Sequence, residues 1–142
     1  LAEEAYERAI ALDPADAGSR FRLAALLVKR EARSAAIEQL EAALSGSPSL
    51  ATLPAVLDLA RAYTADDQAR RGAALFARLA EGSPPGHAAQ LGQAFLLKED
   101  GQPEAALGIA AQLAGDPKAP AAVTEQARAL AKDIQNTRQG GK

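Results

Sequence analysis

The sequence contains no cysteine, no methionine and no tryptophan, and aromatic residues make up only 4% of it. Without cysteine there is no disulfide framework, no thiolate nucleophile and no cysteine-based zinc site. His87 is the single histidine, and one exposed histidine with no second ligand cannot hold a metal unaided. No serine lies in a Gly-x-Ser-x-Gly elbow, and no second histidine could act as base. We therefore expect no enzyme activity, no metal and no cofactor.

Charge and hydropathy argue against nucleic acid and the membrane as partners. The formal net charge is −2 and the pI is about 5.4, whereas nucleic-acid-binding domains usually carry a basic stripe and a high pI. No apolar run reaches the length of a membrane span, and no signal peptide opens the chain. Because the first residue is Leu1 and methionine is absent, we expect a fragment of a longer protein. Its compartment stays open between bacterial cytoplasm and periplasm, a bacterial source being suggested by the alanine- and arginine-rich composition.

The residues that are abundant favour helices. Apolar residues make up 48% of the chain, and alanine is the commonest of them. Alanine has the highest helix propensity, and its small side chain lets helix axes approach closely. Valine, isoleucine and threonine are few and never alternate with polar residues, which argues against strands. The composition therefore predicts an all-α fold.

An internal repeat follows from the prolines. Pro14, Pro48, Pro84 and Pro117 are separated by 34, 36 and 33 residues (48 − 14, 84 − 48 and 117 − 84). Before three of these prolines, a small residue is followed four positions on by a large apolar one, and then three positions on by alanine or leucine. Those three positions share one helical face. The three sets are Ala2, Tyr6 and Ala9; Ala36, Leu40 and Ala43; and Gly72, Phe76 and Leu79.

A second pattern lies in the front half of each unit. Leu23-Ala24 is followed by Leu27, Leu59-Ala60 by Tyr63, and Leu91-Gly92 by Phe95. Together the two patterns resemble the tetratricopeptide repeat, whose first helix reads Trp-x2-Leu-Gly-x2-Tyr and whose second reads Ala-x3-Phe before a proline. Two departures from the family pattern occur. Arg20 and Val56 occupy the Trp position of the second and third units. In the fourth unit, Leu91-Gly92-Phe95 lies two residues earlier in the chain than the second-helix positions Gly101 and Ala106 would predict.

The resemblance implies an α-α superhelix of antiparallel helix pairs. We expect a partial repeat at 1–14, repeats at 15–48, 49–84 and 85–117, a capping helix at 118–136 and a disordered tail at 137–142. The predicted helices are Leu1–Leu12, Ala17–Lys29, Arg33–Ser45, Ala51–Thr64, Asp66–Glu81, His87–Glu99, Pro103–Ala114 and Pro120–Asn136. Asp66 is expected to cap a helix N-terminus, Gly101 to adopt a left-handed conformation and Pro103 to begin a helix. Tyr6, Tyr63 and Phe76 are expected in the core.

In the tetratricopeptide family the first helices line a concave groove that holds another polypeptide. The residues on that face, which the packing pattern does not require, are the predicted partner-binding residues: Phe21, Arg22, Ala25, Lys29, Leu57, Arg61 and Lys98. For Phe21, packing against the neighbouring repeat is an equal alternative. For Arg22, Lys29, Arg61 and Lys98, the alternative is an ordinary solvated helix face. The set of lysine and asparagine residues with which some family members bind chaperone tails is absent.

The leading functional hypothesis is a non-catalytic module that binds a protein or peptide partner, as part of a larger bacterial assembly or secretion-related protein. The alternatives are a structural spacer or self-association domain, and a regulatory appendage of an enzyme. Neither nucleic acid nor direct membrane insertion is expected.

Overall fold

The computed structural model describes residues 2–46, 52–81 and 86–140. These residues form helices and turns without a strand, which confirms the all-α fold for the described part of the chain. The helices are α1 (Ala2–Leu12), α2 (Ala17–Lys29), α3 (Arg33–Gly46), α4 (Leu53–Ala65), α5 (Ala69–Ala80), α6 (His87–Glu99), α7 (Pro103–Ala114) and α8 (Ala121–Gly140). The chain divides into two compact units, Leu1–Asp67 and Gln68–Lys142.

In each unit successive helices pack on one another. The first unit contains α1 to α4 and the second contains α5 to α8, where α8 also contacts α6. Pro48 and Pro84, which mark two of the predicted repeat ends, lie outside the described residues. A superhelix over the whole chain therefore stays a prediction.

The helix ends agree with the sequence pattern in part. Helices α2, α6 and α7 have the predicted bounds. The predicted N-cap role of Asp66 is wrong, because Asp66 follows the end of α4 and its N–H donates to Ala62 O at 3.0 Å. Helix α8 runs past its predicted end at Asn136 to Gly140, since no proline or glycine interrupts the sequence before that point. Gly141 and Lys142 lie outside the described residues.

Three residues separate α2 from α3, α4 from α5 and α6 from α7 in the chain. In each case the middle residue has a positive φ: 61° at Glu31, 57° at Asp67 and 78° at Gly101. At Gly101 the N–H donates to Lys98 O at 3.2 Å, and the next N–H donates to Leu97 O at 2.8 Å. This pair of bonds is the Schellman motif, which satisfies the last carbonyls of a helix. The left-handed conformation of Gly101 and the helix start at Pro103 confirm two predictions.

The core of the first unit is built from alternating small and large side chains. Ala36 and Ile37 of α3 are fully buried, and Leu23 of α2 is 3% exposed. Tyr63 is fully buried, as predicted, and its hydroxyl donates a hydrogen bond to the Glu41 carboxylate. The prediction for Tyr6 is wrong, because α1 contains no buried residue. Helix α1 packs on α2 along one side only, so its tyrosine stays half-buried.

The core of the second unit follows the predicted pattern more closely. Phe76 is fully buried beside the small residue Gly72 of the same helix. Helix α8 presents its predicted apolar stripe to the unit, and each member is at most 4% exposed: Val123, Ala127, Leu130 and Ile134. This burial confirms the predicted inner face of α8.

Arg20 joins two elements of the first unit through its guanidinium group. Its guanidinium donates two hydrogen bonds to Pro14 O, at 3.1 and 2.9 Å, and a third to Gln39 Oε1 at 2.9 Å. The side chain thus links the turn before α2 to helix α3. Hydrogen bonds with a charged donor are stronger than those between neutral groups, so this link stabilises the packing of the turn on α3.

Candidate functional site

The first unit contains an open groove of about 660 Å³ bounded by α2, α3 and α4. Its floor is formed by the buried side chains of Ala24, Leu40 and Ala62. The apolar walls are completed by Phe21, Ala25, Val28, Pro54, Ala55 and Ala65. A volume of this size and an apolar lining are typical of binding sites.

The spacing of the α2 residues explains how one face is presented to the groove. Phe21, Ala24, Ala25 and Val28 lie at i, i+3, i+4 and i+7, which is one stripe of a helix. Phe21 is half-buried and Val28 is 44% exposed. Among the described residues, the large apolar side chains that are classed as exposed are Val28 and Leu12, and Val28 lies in the groove.

Charged side chains line the rim of the groove. Lys29, Arg33 and Arg61 are positive and Asp58 is negative, so their formal charges sum to +2 (three minus one). Arg61 Nη1 lies 2.9 Å from Asp58 Oδ1 on the same exposed helix face. Lys29 forms no ion pair with a described residue.

Four of the predicted partner-binding residues line this groove: Phe21, Ala25, Lys29 and Arg61. Arg22, Leu57 and Lys98 do not. Arg22 lies on α2 outside the lining, where its charge is one of the lesser causes that lower the pKa of Asp16. Lys98 belongs to the second unit, where its ammonium lies 2.6 Å from Asp133 Oδ2 of α8.

Val28 and Arg33 are among the groove residues that the predicted partner-binding set does not include. Val28 follows Phe21 by seven residues, so a longer reading of the same stripe could have found it. Arg33 is the first residue of α3, and only the three-residue turn, in which Glu31 has a positive φ, carries it back beside α2. The sequence predicts that return, but the predicted partner-binding set is drawn from first helices alone and therefore omits Arg33.

No protein-family model and no curated protein matches this sequence. The case for the function therefore rests on the residues and their geometry.

A second cavity, of about 310 Å³, lies in the second unit and is more polar. Its lining includes three amide side chains, Gln90, Gln93 and Gln112, together with Glu81 and Asp116. Beside it, His87 Nε2 lies 3.2 Å from Asp116 Oδ2. The prediction of an exposed histidine is wrong, because the His87 side chain is only 14% exposed.

The contact between His87 and Asp116 has a structural explanation. The Asp116 carboxylate also accepts a hydrogen bond from Lys118 N at 2.8 Å, so it organises the turn between α7 and α8. Residues 2–46, 52–81 and 86–140 hold no cluster of three or more side chains that could ligate a metal. Within the same ranges, no helix combines the length and apolar character needed to cross a bilayer.

Proposed function

We propose that this chain is a non-catalytic protein-interaction module that holds a segment of a partner polypeptide in the groove of its first unit. The observation that carries the proposal is the half-open apolar face of α2. Phe21 and Val28 lie two turns apart on it and remain partly exposed above a buried floor. A contiguous apolar patch is costly to leave in water and is typical of interaction sites. A groove between helices suits a helical or extended segment.

The proposal includes membership in the tetratricopeptide family. The in-phase sequence motifs support it, and so do the positive φ values of Glu31, Asp67 and Gly101, each of which is the middle one of three residues between two helices. Because the turn residues are 36 and 34 residues apart (67 − 31 and 101 − 67), the turns keep the period of the prolines. A place in a bacterial assembly or secretion-related protein is the wider context that we infer for the module.

The test is the double variant Phe21→Ala with Arg61→Ala. It removes one large apolar contact and one cation from the lining, and we expect partner binding to weaken at least tenfold, which is about 1.4 kcal/mol. The melting temperature should change little, because Phe21 is half-buried and Arg61 is exposed. Pull-down from the source lysate, read beside melting curves, measures both effects.

The control is Leu107→Ala with Arg128→Ala. This pair removes a half-buried apolar residue and an exposed arginine from the second unit, outside the groove lining. It should recover the same partners as the original chain. Equal recovery by the Phe21/Arg61 variant as well would show that the groove is not the binding site.

Self-association is the second candidate function, and one observation favours it. Helix α1 buries none of its residues, and Leu12 at its end is 87% exposed. A second copy could cover this face. Sedimentation equilibrium decides the matter, because concentration-dependent dimers that disappear on Leu12→Ala would support self-association, and a monomer at all concentrations would exclude it.

A further inference from the structure

We propose that the groove of the first unit selects an acidic amphipathic segment of a partner protein. Its carboxylates would pair with Lys29 and Arg33, and its apolar side chains would lie against Phe21 and Val28. This inference rests on the proposed function and adds the chemistry of the partner. It also gives a role to Arg33, which the sequence pattern does not single out.

The sign of the charge around the groove favours an acidic partner. The whole chain has a formal net charge of −2, whereas the groove lining has +2, from Lys29, Arg33 and Arg61 against Asp58. A negatively charged segment is attracted to this rim and repelled by much of the remaining surface. Such complementarity raises the association rate and selects among partners.

Two of the three cations on the rim are available to a partner carboxylate. Arg61 is already 2.9 Å from Asp58. Lys29 forms no ion pair within the described ranges, and Arg33 has only Glu31 at 3.9 Å, whose side chain is 77% exposed. Charge-assisted hydrogen bonds are usually 2.7–2.9 Å long. Lys29 and Arg33 can therefore both gain from a partner carboxylate, and the turn at Glu31 holds them on the same rim.

The apolar floor of the groove has a shape that admits side chains of a partner. The floor consists of two alanines, Ala24 and Ala62, with Leu40 between them in sequence. Small floor residues leave room for side chains that enter from outside, such as leucine, valine or alanine. A segment that alternates these residues with glutamate or aspartate would satisfy the floor and the rim together.

The experiment is selection of short random peptides displayed on phage, with the whole chain immobilised, followed by fluorescence anisotropy of the enriched peptides. We expect enriched sequences with net negative charge around apolar residues, and binding that weakens as salt is added. Lys29→Glu with Arg33→Glu should lower affinity at least tenfold. Lys29→Gln with Arg33→Gln should have a smaller effect in the same direction, and it keeps the test valid if charge reversal impairs folding.

The matched control is Arg128→Glu with Lys132→Glu, which reverses one arginine and one lysine on the exposed side of α8. It should leave peptide affinity unchanged. Loss of affinity in this control as large as in the rim variants would overturn the inference, because overall charge would then explain the binding.

The remaining outcomes separate the inference from the proposed function. If the enriched peptides are neutral or basic yet lose affinity on Phe21→Ala, the groove binds a segment and only the acidic chemistry is wrong. If no peptide is enriched, or if binding ignores both the rim variants and Phe21→Ala, both proposals fail. If the chain forms dimers that the Lys29/Arg33 variants dissociate, the occupant is a second copy, and the inference is overturned.

Discussion

The two units each contain three consecutive helices that follow the same plan: α2, α3 and α4 in the first unit, and α6, α7 and α8 in the second. Each set is a helix pair joined by a three-residue turn and followed by a third helix. In the second unit the third helix packs on both members of the pair, whereas in the first unit α4 packs on α3 and a groove separates it from α2.

Equivalent positions show what makes the difference. Counted back from the positive-φ residue of each turn, Phe21 corresponds to Leu91 (31 − 21 and 101 − 91 are both ten). Leu91 is fully buried, whereas Phe21 is half-buried in the groove. In the same way Val28 corresponds to Lys98, which is tied to Asp133 of α8 while Val28 remains 44% exposed.

The third helices explain these two outcomes. Helix α8 brings a stripe of Val123, Ala127, Leu130 and Ile134 against its pair. Helix α4 turns Pro54, Asp58 and small alanines toward the groove. A few residues on the third helix therefore decide whether the apolar face of the helix pair is covered. In the first unit this face stays accessible, as a binding site requires.

The largest expected effect is on stability, and it differs between the two units. Leu130→Ala should destabilise the protein by about 2–5 kcal/mol, because Leu130 is only 4% exposed and its loss leaves a cavity. Val28→Ala in the groove should change stability by at most about 0.5 kcal/mol, as expected of a surface site. Urea unfolding of both variants measures the contrast, and equal losses would mean that the first unit's groove is closed in solution.

The next effect concerns the turns. Gly101→Ala should cost about 1–2 kcal/mol, because an L-residue is strained at positive φ. The cost is purely conformational, since nothing lies within 4 Å of an added Cβ. Glu31→Gly should do the reverse and stabilise the first unit by up to about 1 kcal/mol.

Gly108→Ala is the control for these turn variants. Gly108 lies inside α7 with equal space around its Cβ position, so alanine should stabilise the helix by about 0.5–1 kcal/mol. Thermal melts rank the three variants. Gly101→Ala and Gly108→Ala moving stability in the same direction would contradict the strained-turn interpretation.

The helices were predictable from the sequence because their signals are local. Gly101 and Pro103 mark a turn by their own backbone preferences, and the spacing of Leu23 and Leu27 marks a buried face. Tyr6 matches the same pattern but stays half-buried, since burial depends on how many helices surround it. Within the described residues α1 has one packing neighbour in its unit.

The groove was only partly predictable for the same reason. The stripe containing Phe21 and Ala25 identifies a helix face, but whether that face is open depends on α4, more than twenty residues further along the chain. The ion pair of Lys98 with Asp133 spans 35 residues, and no local pattern indicates that α8 would supply that carboxylate.

A smaller effect is expected from that ion pair. The two side chains are 30% and 57% exposed, and partly exposed pairs typically contribute about 0.2–1 kcal/mol. A double-mutant cycle of Lys98→Ala and Asp133→Ala should give a coupling energy in this range that decreases as salt is added. A coupling of zero at low salt would mean that the apolar stripe of α8 closes the second unit without help from this pair.

The smallest expected effect is a pH dependence that occurs once in each unit. In the first unit, the hydrogen bond that the Ser19 hydroxyl donates to Asp16 is the main cause that lowers the pKa of this carboxyl below its usual 3.8. In the second unit, the side-chain amide of Gln102, followed by Arg70, lowers the pKa of Asp100.

A folded-state pKa below the unfolded value stabilises the folded state above about pH 4, and this stabilisation is lost as the pH falls through the lower, folded pKa. Melting temperatures of the unchanged chain should therefore fall on acidification below that point. Asp16→Asn preserves an N-cap oxygen while removing the charge, so it should flatten the first unit's share of the slope, and Asp100→Asn should flatten the second unit's share. Ser19→Ala should flatten the first unit's share only in part, because it removes the hydroxyl bond to Asp16 but keeps the bond that the backbone N–H of residue 19 donates to the same carboxylate. If Ser19→Ala leaves the slope unchanged while Asp16→Asn flattens it, the charge of Asp16 acts through the backbone N–H groups of the helix N-terminus and not through its bond to the Ser19 hydroxyl.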